Sequence, residues 1–292
     1  MADTTIEVAA LNIVASPHPD GIYLKLFQHV AGKEILLWGS DRAKITEPRA
    51  IEGRDNYFYG EVLVWAHIDT DSPWLNTDTD TEATDEEMQA VVEALPTNLE
   101  PNFRPFTYVL NQAEHIVLLE IRNEAGQRFS PKRAKRMFAR LFEDLPADLP
   151  EVDVTVIPEE ETLEKIFAIK RLRKLDIVIK RPNGDDLGDD FKRVMDALTQ
   201  EGVRVQKIEK TKAAKVPTIT PNEDTKKLAV IASTNGYVSG EGKDELGNPV
   251  FESTEEHPKI RKLDVNTSTF ATVVAAFRFF IKQAMEKPIR GD

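Results

Sequence analysis

The sequence contains no cysteine, which excludes disulfide bonds, thiolate nucleophiles and cysteine-ligated zinc sites. No run of about 18 consecutive apolar residues occurs, so no segment is predicted to span a membrane. P-loop and His-Glu-x-x-His motifs are absent, and the five histidines are scattered without a ligand-like pair. These absences predict a soluble, cytoplasmic protein in a reducing compartment, with no cofactor and no metal.

What the chain does contain is typical of a folded protein. Its 292 residues are 41% hydrophobic and 30% charged, which excludes a disordered or collagen-like chain. This length suits one large domain or two ordinary ones. At the N-terminus, acids stand where a signal peptide needs Lys or Arg, and Asn12 and Pro17 interrupt the apolar run. A secretory signal is therefore not predicted.

The net charge of −12 is spread unevenly along the chain. Residues 1–100 contain 6 Lys and Arg and 19 Asp and Glu, whereas residues 130–215 contain 19 Lys and Arg and 17 Asp and Glu. Screening limits the reach of exposed charges to about 8–10 Å, so an acidic chain can still present a basic face. The question becomes whether the basic residues cluster.

Three basic clusters lie within residues 130–215. The first, 130–140, holds five cations and no anion, and Ser130 followed by Pro131 predicts a helix start there. The second is 170–174 and the third is 204–215. Each cluster alone fits a solvated surface, but together they favour a nucleic-acid face. The predicted contacts to DNA are Lys132, Arg133, Arg136, Arg140, Arg171, Arg173, Lys174, Lys207, Lys210 and Lys212.

Helical spacing places Lys132, Arg136 and Arg140 on one stripe, with Arg133 beside it. Apart from Phe138, the clusters contain no aromatic side chains, which predicts contacts to the phosphate backbone rather than stacking on bases. Binding to duplex DNA is therefore expected to be salt-sensitive and tolerant of sequence.

The alternation patterns predict an α+β fold. We expect a strand-rich N-terminal domain over residues 1–125, and a second domain over 126–292 with a small mixed sheet and a long C-terminal helix. Predicted elements include a helix or strand at 22–30, a hairpin over 106–122, and strands at 152–157, 175–179, 203–208 and 228–232. A helix over 267–285 is heavily aromatic; it either docks on its own chain or pairs with a twin in a homodimer.

The acidic patterns leave two other functions open. The loop from Asp69 to Asp80 contains two Asp-x-Asp pairs, at 69 and 71 and at 78 and 80, but lacks the glycine and glutamate of an EF-hand. The acids at 185, 186, 189 and 190 precede a predicted helix and suit its N-terminus. With Asp176 and Lys180 they also allow a metal-dependent nuclease. A protein–protein adaptor would use the acidic loop and Trp74.

The segment Leu175-Asp-Ile-Val-Ile-Lys-Arg-Pro182, followed by Phe191-Lys-Arg-Val194, resembles the RexA family of lambdoid phage-exclusion proteins. An early Leu-rich stretch, Tyr23-Leu-Lys-Leu-Phe27, and the element order are also similar, although the local match covers roughly twenty residues. The resemblance implies a non-catalytic, dimeric DNA-binding sensor of phage DNA that acts through a membrane-channel partner protein. The acidity of this chain departs from that pattern, because DNA binding then requires the basic clusters to align.

Overall fold

The computed structural model describes residues 5–180, 189–265 and 268–276. The strands are β1 (Thr5–Ser16), β2 (Ile35–Trp38), β3 (Asp41–Ile45), β4 (Arg49–Ile51), β5 (Arg54–Ala66), β6 (Leu75–Asn76), β7 (Thr81–Glu82), β8 (Arg104–Asn111), β9 (Ile116–Arg122), β10 (Glu151–Val156), β11 (Lys174–Lys180), β12 (Val205–Thr211), β13 (Gly236–Lys243), β14 (Pro249–Ser253) and β15 (Ile260–Asp264). The helices are α1 (Ile22–Val30), α2 (Asp85–Ala94), α3 (Pro131–Leu141), α4 (Thr162–Phe167), α5 (Asp189–Gln200) and α6 (Glu223–Thr234). Residues 269–276 form a further helix, the terminal helix. The α+β prediction is confirmed.

The first sheet has the strand order β10-β1-β9-β8-β5-β3-β2, and all its pairs are antiparallel. Strand β1 pairs with β9 along one edge and with both β10 and β15 along the other. Apolar cores lie on both faces of β1: Leu11 and Ile13 belong to one, Ile6 and Val8 to the other. This double burial explains why β1 is almost continuously apolar.

Helices α1 and α3 cover one face of the first sheet. The Phe138 ring of α3 lies with its centre 5.6 Å from that of Phe27 on α1 and 6.5 Å from that of Tyr108 on β8. All three side chains are fully buried. Aromatic packing therefore fixes α3 against the sheet and sets which of its sides reaches solvent.

The terminal helix covers part of the opposite face. Phe270 packs on Tyr59 with ring centres 4.7 Å apart, and Val273 and Val274 are buried. The described part of the predicted 267–285 helix thus docks on its own chain. Its remaining phenylalanines, at 277, 279 and 280, lie outside the described residues, so pairing with a twin stays a prediction.

The second sheet has the order β12-β11-β13-β14, again with antiparallel pairs, and α4 and α6 pack on one face. Gly240 on β13 permits this close packing, because a Cβ at that position would lie 2.8 Å from Ile166 Cγ2 of α4. The core between sheet and helices is built by Ile166, Leu172, Leu175, Ile177, Ile179, Leu198, Ala229, Ile231, Ala232 and Val238, among others.

The strand predicted at 228–232 is wrong, because these residues lie in helix α6. Asn222 caps this helix by accepting a hydrogen bond from the Thr225 amide at 2.9 Å, and two acids occupy its first turn. Residues 225, 229 and 232 are buried at helical spacing. The short run of apolar residues resembled a strand because periodicity over five residues does not separate the two structures.

Strand β10 belongs to the first sheet, although its sequence position predicted the second. It pairs with β1 in the register Leu11 to Val156 and Ser16 to Glu151. Helix α3 also packs on the first sheet. The core of that sheet therefore includes residues from both sides of the predicted domain boundary between 125 and 126. The division into 1–125 and 126–292 stays a prediction.

Polar contacts join the two sheets. Asn12 on β1 donates to the Thr234 carbonyl at 3.0 Å, where α6 ends. Lys180 at the end of β11 pairs with Asp153 on β10 at 2.8 Å, and Arg204 reaches the same carboxylate at 3.4 Å. These contacts place the end of the second sheet beside β10.

Candidate nucleic-acid interface

Helix α3 carries the densest basic cluster, and its local sequence explains where it begins. The Ser130 hydroxyl accepts a hydrogen bond from the Arg133 amide at 3.3 Å, and Pro131 is the first helical residue, as predicted. The buried side of the helix consists of Ala134, Met137, Phe138 and Leu141. Four cations are exposed on its other side, and we call Lys132, Arg133, Arg136 and Arg140 the α3 ridge.

The α3 ridge is held against strands β2 and β3. Arg133 lies 3.5 Å from Asp41 on β3, and Arg104 contacts the same carboxylate at 2.8 Å. Arg140 donates a hydrogen bond to the Leu36 carbonyl on β2. Because one carboxylate is shared by two guanidinium groups, positive charge remains in excess at this edge.

An aromatic side chain lies beside the α3 ridge, at a place that the linear sequence does not reveal. The Arg136 guanidinium carbon is 5.8 Å from the centre of the Trp38 ring, and Trp38 is 65% exposed. Strand β2 buries Ile35 and Leu37 and turns Leu36 and Trp38 outward. Since all four residues are apolar, the pattern alone gave no signal for which pair reaches solvent.

The second basic cluster lies at the start of β11. Arg171 and Arg173 are exposed, and neither forms an ion pair with a residue in the described ranges. Lys174 pairs with Asp176 at 3.0 Å and with Glu209 at 3.4 Å. The hydrogen bond to Asp176 is the main cause that raises the pKa of Lys174. Lys174 is therefore already engaged within the protein.

The third cluster does not form one surface. In the β11–β12 register, Lys207 lies opposite Val178 and Lys210 opposite Leu175, so the two lysines point to different faces of the sheet. Lys210 donates to the Thr225 hydroxyl at 2.7 Å. Lys212 donates to the carbonyls of residues 213 and 216 at 2.9 and 2.8 Å. Lys207 is exposed, with Glu209 at 3.9 Å.

The three clusters therefore divide between two parts of the fold. The α3 ridge packs on the first sheet, whereas the second and third clusters belong to the second sheet. A cleft of about 630 Å³ separates the end of α3 from Lys180 and Arg204. It is lined by cations and by carboxylates such as Glu151 and Asp153. This mixed lining makes the cleft a weaker anion site than the α3 ridge.

Sequence inspection missed a buried carboxylate, Glu120 on β9. It is 2% exposed; its Oε2 accepts a hydrogen bond from the Thr107 amide at 2.8 Å, and its Oε1 has no hydrogen-bond partner among the described residues. Burial raises the pKa of Glu120 to about 7, the carboxylates of Glu124 and Glu61 add to the rise, and the Thr107 bond opposes it. The one available signal was a single acid within an apolar strand.

The acids of the 69–80 loop make local turns. The Asp69 carboxylate accepts hydrogen bonds from the Asp71 amide at 2.9 Å and the Ser72 hydroxyl at 2.6 Å, and the Ser72 bond is the main cause that lowers its pKa. The Trp74 indole donates to the Asp69 carbonyl. Across 5–180, 189–265 and 268–276, no group of three or more His, Asp or Glu side chains has metal-binding geometry. Residues 185 and 186 lie outside the described residues, and the side chains at 189 and 190 are not described.

In the part of the chain that the structure describes, no helix has the length and apolarity needed to cross a membrane. Among curated proteins, none matches this chain. The family model described as "Domain of unknown function (DUF4747)" matches residues 4–282. Because that match covers almost the whole sequence, the chain belongs to the DUF4747 family.

Proposed function

We propose that this protein binds nucleic acid, with duplex DNA as the expected ligand, through phosphate contacts made by the α3 ridge. The observation that carries the proposal is a helix whose solvent-facing side presents four cations and whose sequence contains no acid. Its buried aromatic face holds it rigidly on the first sheet. A fixed row of cations loses little conformational freedom when it meets a row of phosphates.

The dimensions of the α3 ridge suit a phosphate backbone. From Lys132 to Arg140 the helix rises about 12 Å. Measured along the duplex axis, each DNA strand carries three or four phosphates over about 12 Å. The α3 ridge therefore presents about one cation for each phosphate over the same axial length, which supports binding that is sensitive to salt and tolerant of sequence.

The other predicted contacts contribute unequally to the proposal. Arg171, Arg173 and Lys207 are exposed and able to meet a second stretch of backbone. Lys210 would have to give up its hydrogen bond to Thr225 on helix α6, and Lys212 its hydrogen bonds to the loop that follows β12. The α3 ridge is therefore the primary surface of the proposal, and the second sheet supplies a secondary one.

Charge reversal on α3 tests this function. The double variant Arg133→Glu, Arg136→Glu is expected to weaken duplex binding about 100-fold near 0.1 M salt and to reduce the salt slope by about two. Mobility-shift titrations at several salt concentrations measure both quantities. Arg171→Glu with Arg173→Glu serves as the matched control and is expected to have a smaller effect.

Unchanged binding by the α3 variant would remove α3 as the contact surface. Shortened nucleic acid appearing only with Mg²⁺ would instead favour the nuclease hypothesis, and Asp176→Ala would then be the next variant. A wild-type protein that neither shifts nor cleaves any nucleic acid would leave the adaptor hypothesis, with the acidic loop around Trp74 as the contact.

The biological setting of the proposal rests on the RexA resemblance. It comprises a cytoplasmic homodimer that senses phage DNA, excludes superinfecting phage and acts through a membrane-channel partner protein. Cells producing the wild-type chain are expected to reduce the plating efficiency of phage at least about 10-fold. Cells producing the Arg133→Glu, Arg136→Glu variant are expected to recover most of that plating efficiency, because sensing depends on phosphate contact. Equal plating with and without the wild-type chain would contradict this role.

A further inference from the structure

Trp38 is an exposed indole on the surface that also carries the α3 ridge. Of the large aromatic side chains exposed within the described residues, Trp38 at 65% exceeds Phe103 at 54% and Phe251 at 49%. We propose that Trp38 and the α3 ridge together form a site for single-stranded nucleic acid, in which an unpaired base stacks on Trp38 while its phosphates follow the ridge. This inference rests on the proposed function and names its ligand more closely.

The geometry leaves a stacking surface open. The alternation of strand β2 turns Trp38 outward, and the Arg136 guanidinium lies 5.8 Å from the ring centre. A cation held near an indole stabilises it in one orientation. Because most of the Trp38 surface remains exposed, the indole offers room for a flat ring to stack.

Cations flank strand β2 on both sides. On one side is helix α3, whose Arg140 donates a hydrogen bond to the Leu36 carbonyl. On the paired edge of β2, Arg42 of β3 lies opposite Leu36, and the Asp41 carboxylate is shared between Arg133 and Arg104. A stacking platform between cations is the arrangement by which proteins bind single strands without strong sequence preference.

A paired duplex offers no base on which Trp38 can stack, because the faces of its bases are covered by the neighbouring bases. An unpaired base offers both faces, and its removal from water adds apolar burial to the backbone contacts. Phosphate contacts alone therefore serve a duplex, whereas a single strand gains the indole as well. The difference in affinity between the two ligands reports on Trp38.

Trp38→Ala tests the inference in the full-length chain. Fluorescence anisotropy titrations would use oligo-dT and oligo-rU of about 15 nucleotides, an abasic strand of the same length and a duplex. Loss of one stacked base is expected to weaken binding of oligo-dT or oligo-rU about 5- to 100-fold, with duplex and abasic affinities changed less than about twofold. Trp38→Phe is expected to retain most of the binding, because it keeps an aromatic face. Comparing the affinities for oligo-dT and oligo-rU shows whether the site prefers single-stranded DNA or RNA.

Phe251→Ala is the matched control, since Phe251 is exposed but lies opposite Glu241 on the second sheet. It is expected to leave all affinities unchanged. Equal losses on duplex and single strand in Trp38→Ala, or no loss on the single strand, would overturn the inference while the proposed function stands. A wild-type chain that binds none of the four probes would overturn both.

Discussion

Replacing Phe138 with alanine is expected to lower the free energy of unfolding by about 3–5 kcal/mol. The side chain is fully buried, and its ring centre lies 5.6, 6.3 and 6.5 Å from those of Phe27, Phe142 and Tyr108. Truncation removes apolar contact with all three rings and leaves a cavity between α3 and the first sheet. Because Phe27 and Tyr108 are themselves held by α1 and β8, the cavity is expected to collapse only in part.

Chemical denaturation followed by far-ultraviolet circular dichroism measures this loss as a shift of the unfolding midpoint. The same substitution at an exposed position, Phe251→Ala, is the matched control and is expected to change stability by less than about 0.5 kcal/mol. Similar shifts in the two variants would contradict the central packing role of Phe138. They would also weaken the view that α3 is a rigid support for the ridge.

Glu120 is expected to make the protein less stable as pH rises through the range between about 4.5 and 7. Its pKa is about 7 in the folded chain against an ordinary value of 4.5, so the folded state holds a proton that the unfolded state has released. The unfolded state binds fewer protons across that window, and stability therefore falls with pH. Above pH 7 the carboxylate is charged in both states, and the accumulated penalty is about 3 kcal/mol.

Glu120→Gln removes the titrating proton and is expected to flatten this part of the pH profile. Unfolding free energies at about pH 4.5, 6 and 8 in both proteins give the comparison. The slope is the informative quantity, because an unpaired amide at this buried position carries its own constant penalty. Glu61→Gln, at an exposed position that lines a surface pocket together with Glu120, controls for the loss of a nearby negative charge. Identical slopes in wild type and Glu120→Gln would contradict the prediction.

Local signals in the sequence were sufficient for several elements. The capping serine and the first-turn proline predicted where α3 begins, and helical spacing separated its cations from its apolar side. The β8–β9 hairpin was also predictable, because its two strands are close in sequence and the residues between them close a short turn. In each case the deciding interactions lie within about a dozen residues of one another.

Pairing between distant segments was not predictable. Strand β10 has an apolar alternation that fits either sheet, and only the register with β1 assigned it to the first. Residues 228–232 resembled a strand until the cap at Asn222 and the packing on β11 and β13 placed them in a helix. Short apolar runs carry no information about their partner, so tertiary packing decided both cases.

The sequence by itself determined the α+β class, the absence of thiol chemistry and the basic side of α3, because these depend on composition and local spacing. The tertiary structure decided which cations remain available. It engaged Lys174 with Asp176 on the second sheet and Lys210 with Thr225 on helix α6, and it brought Trp38 beside Arg136 across about 100 residues of chain. Contacts between residues distant in sequence depend on the packing of whole sheets, which no local pattern encodes.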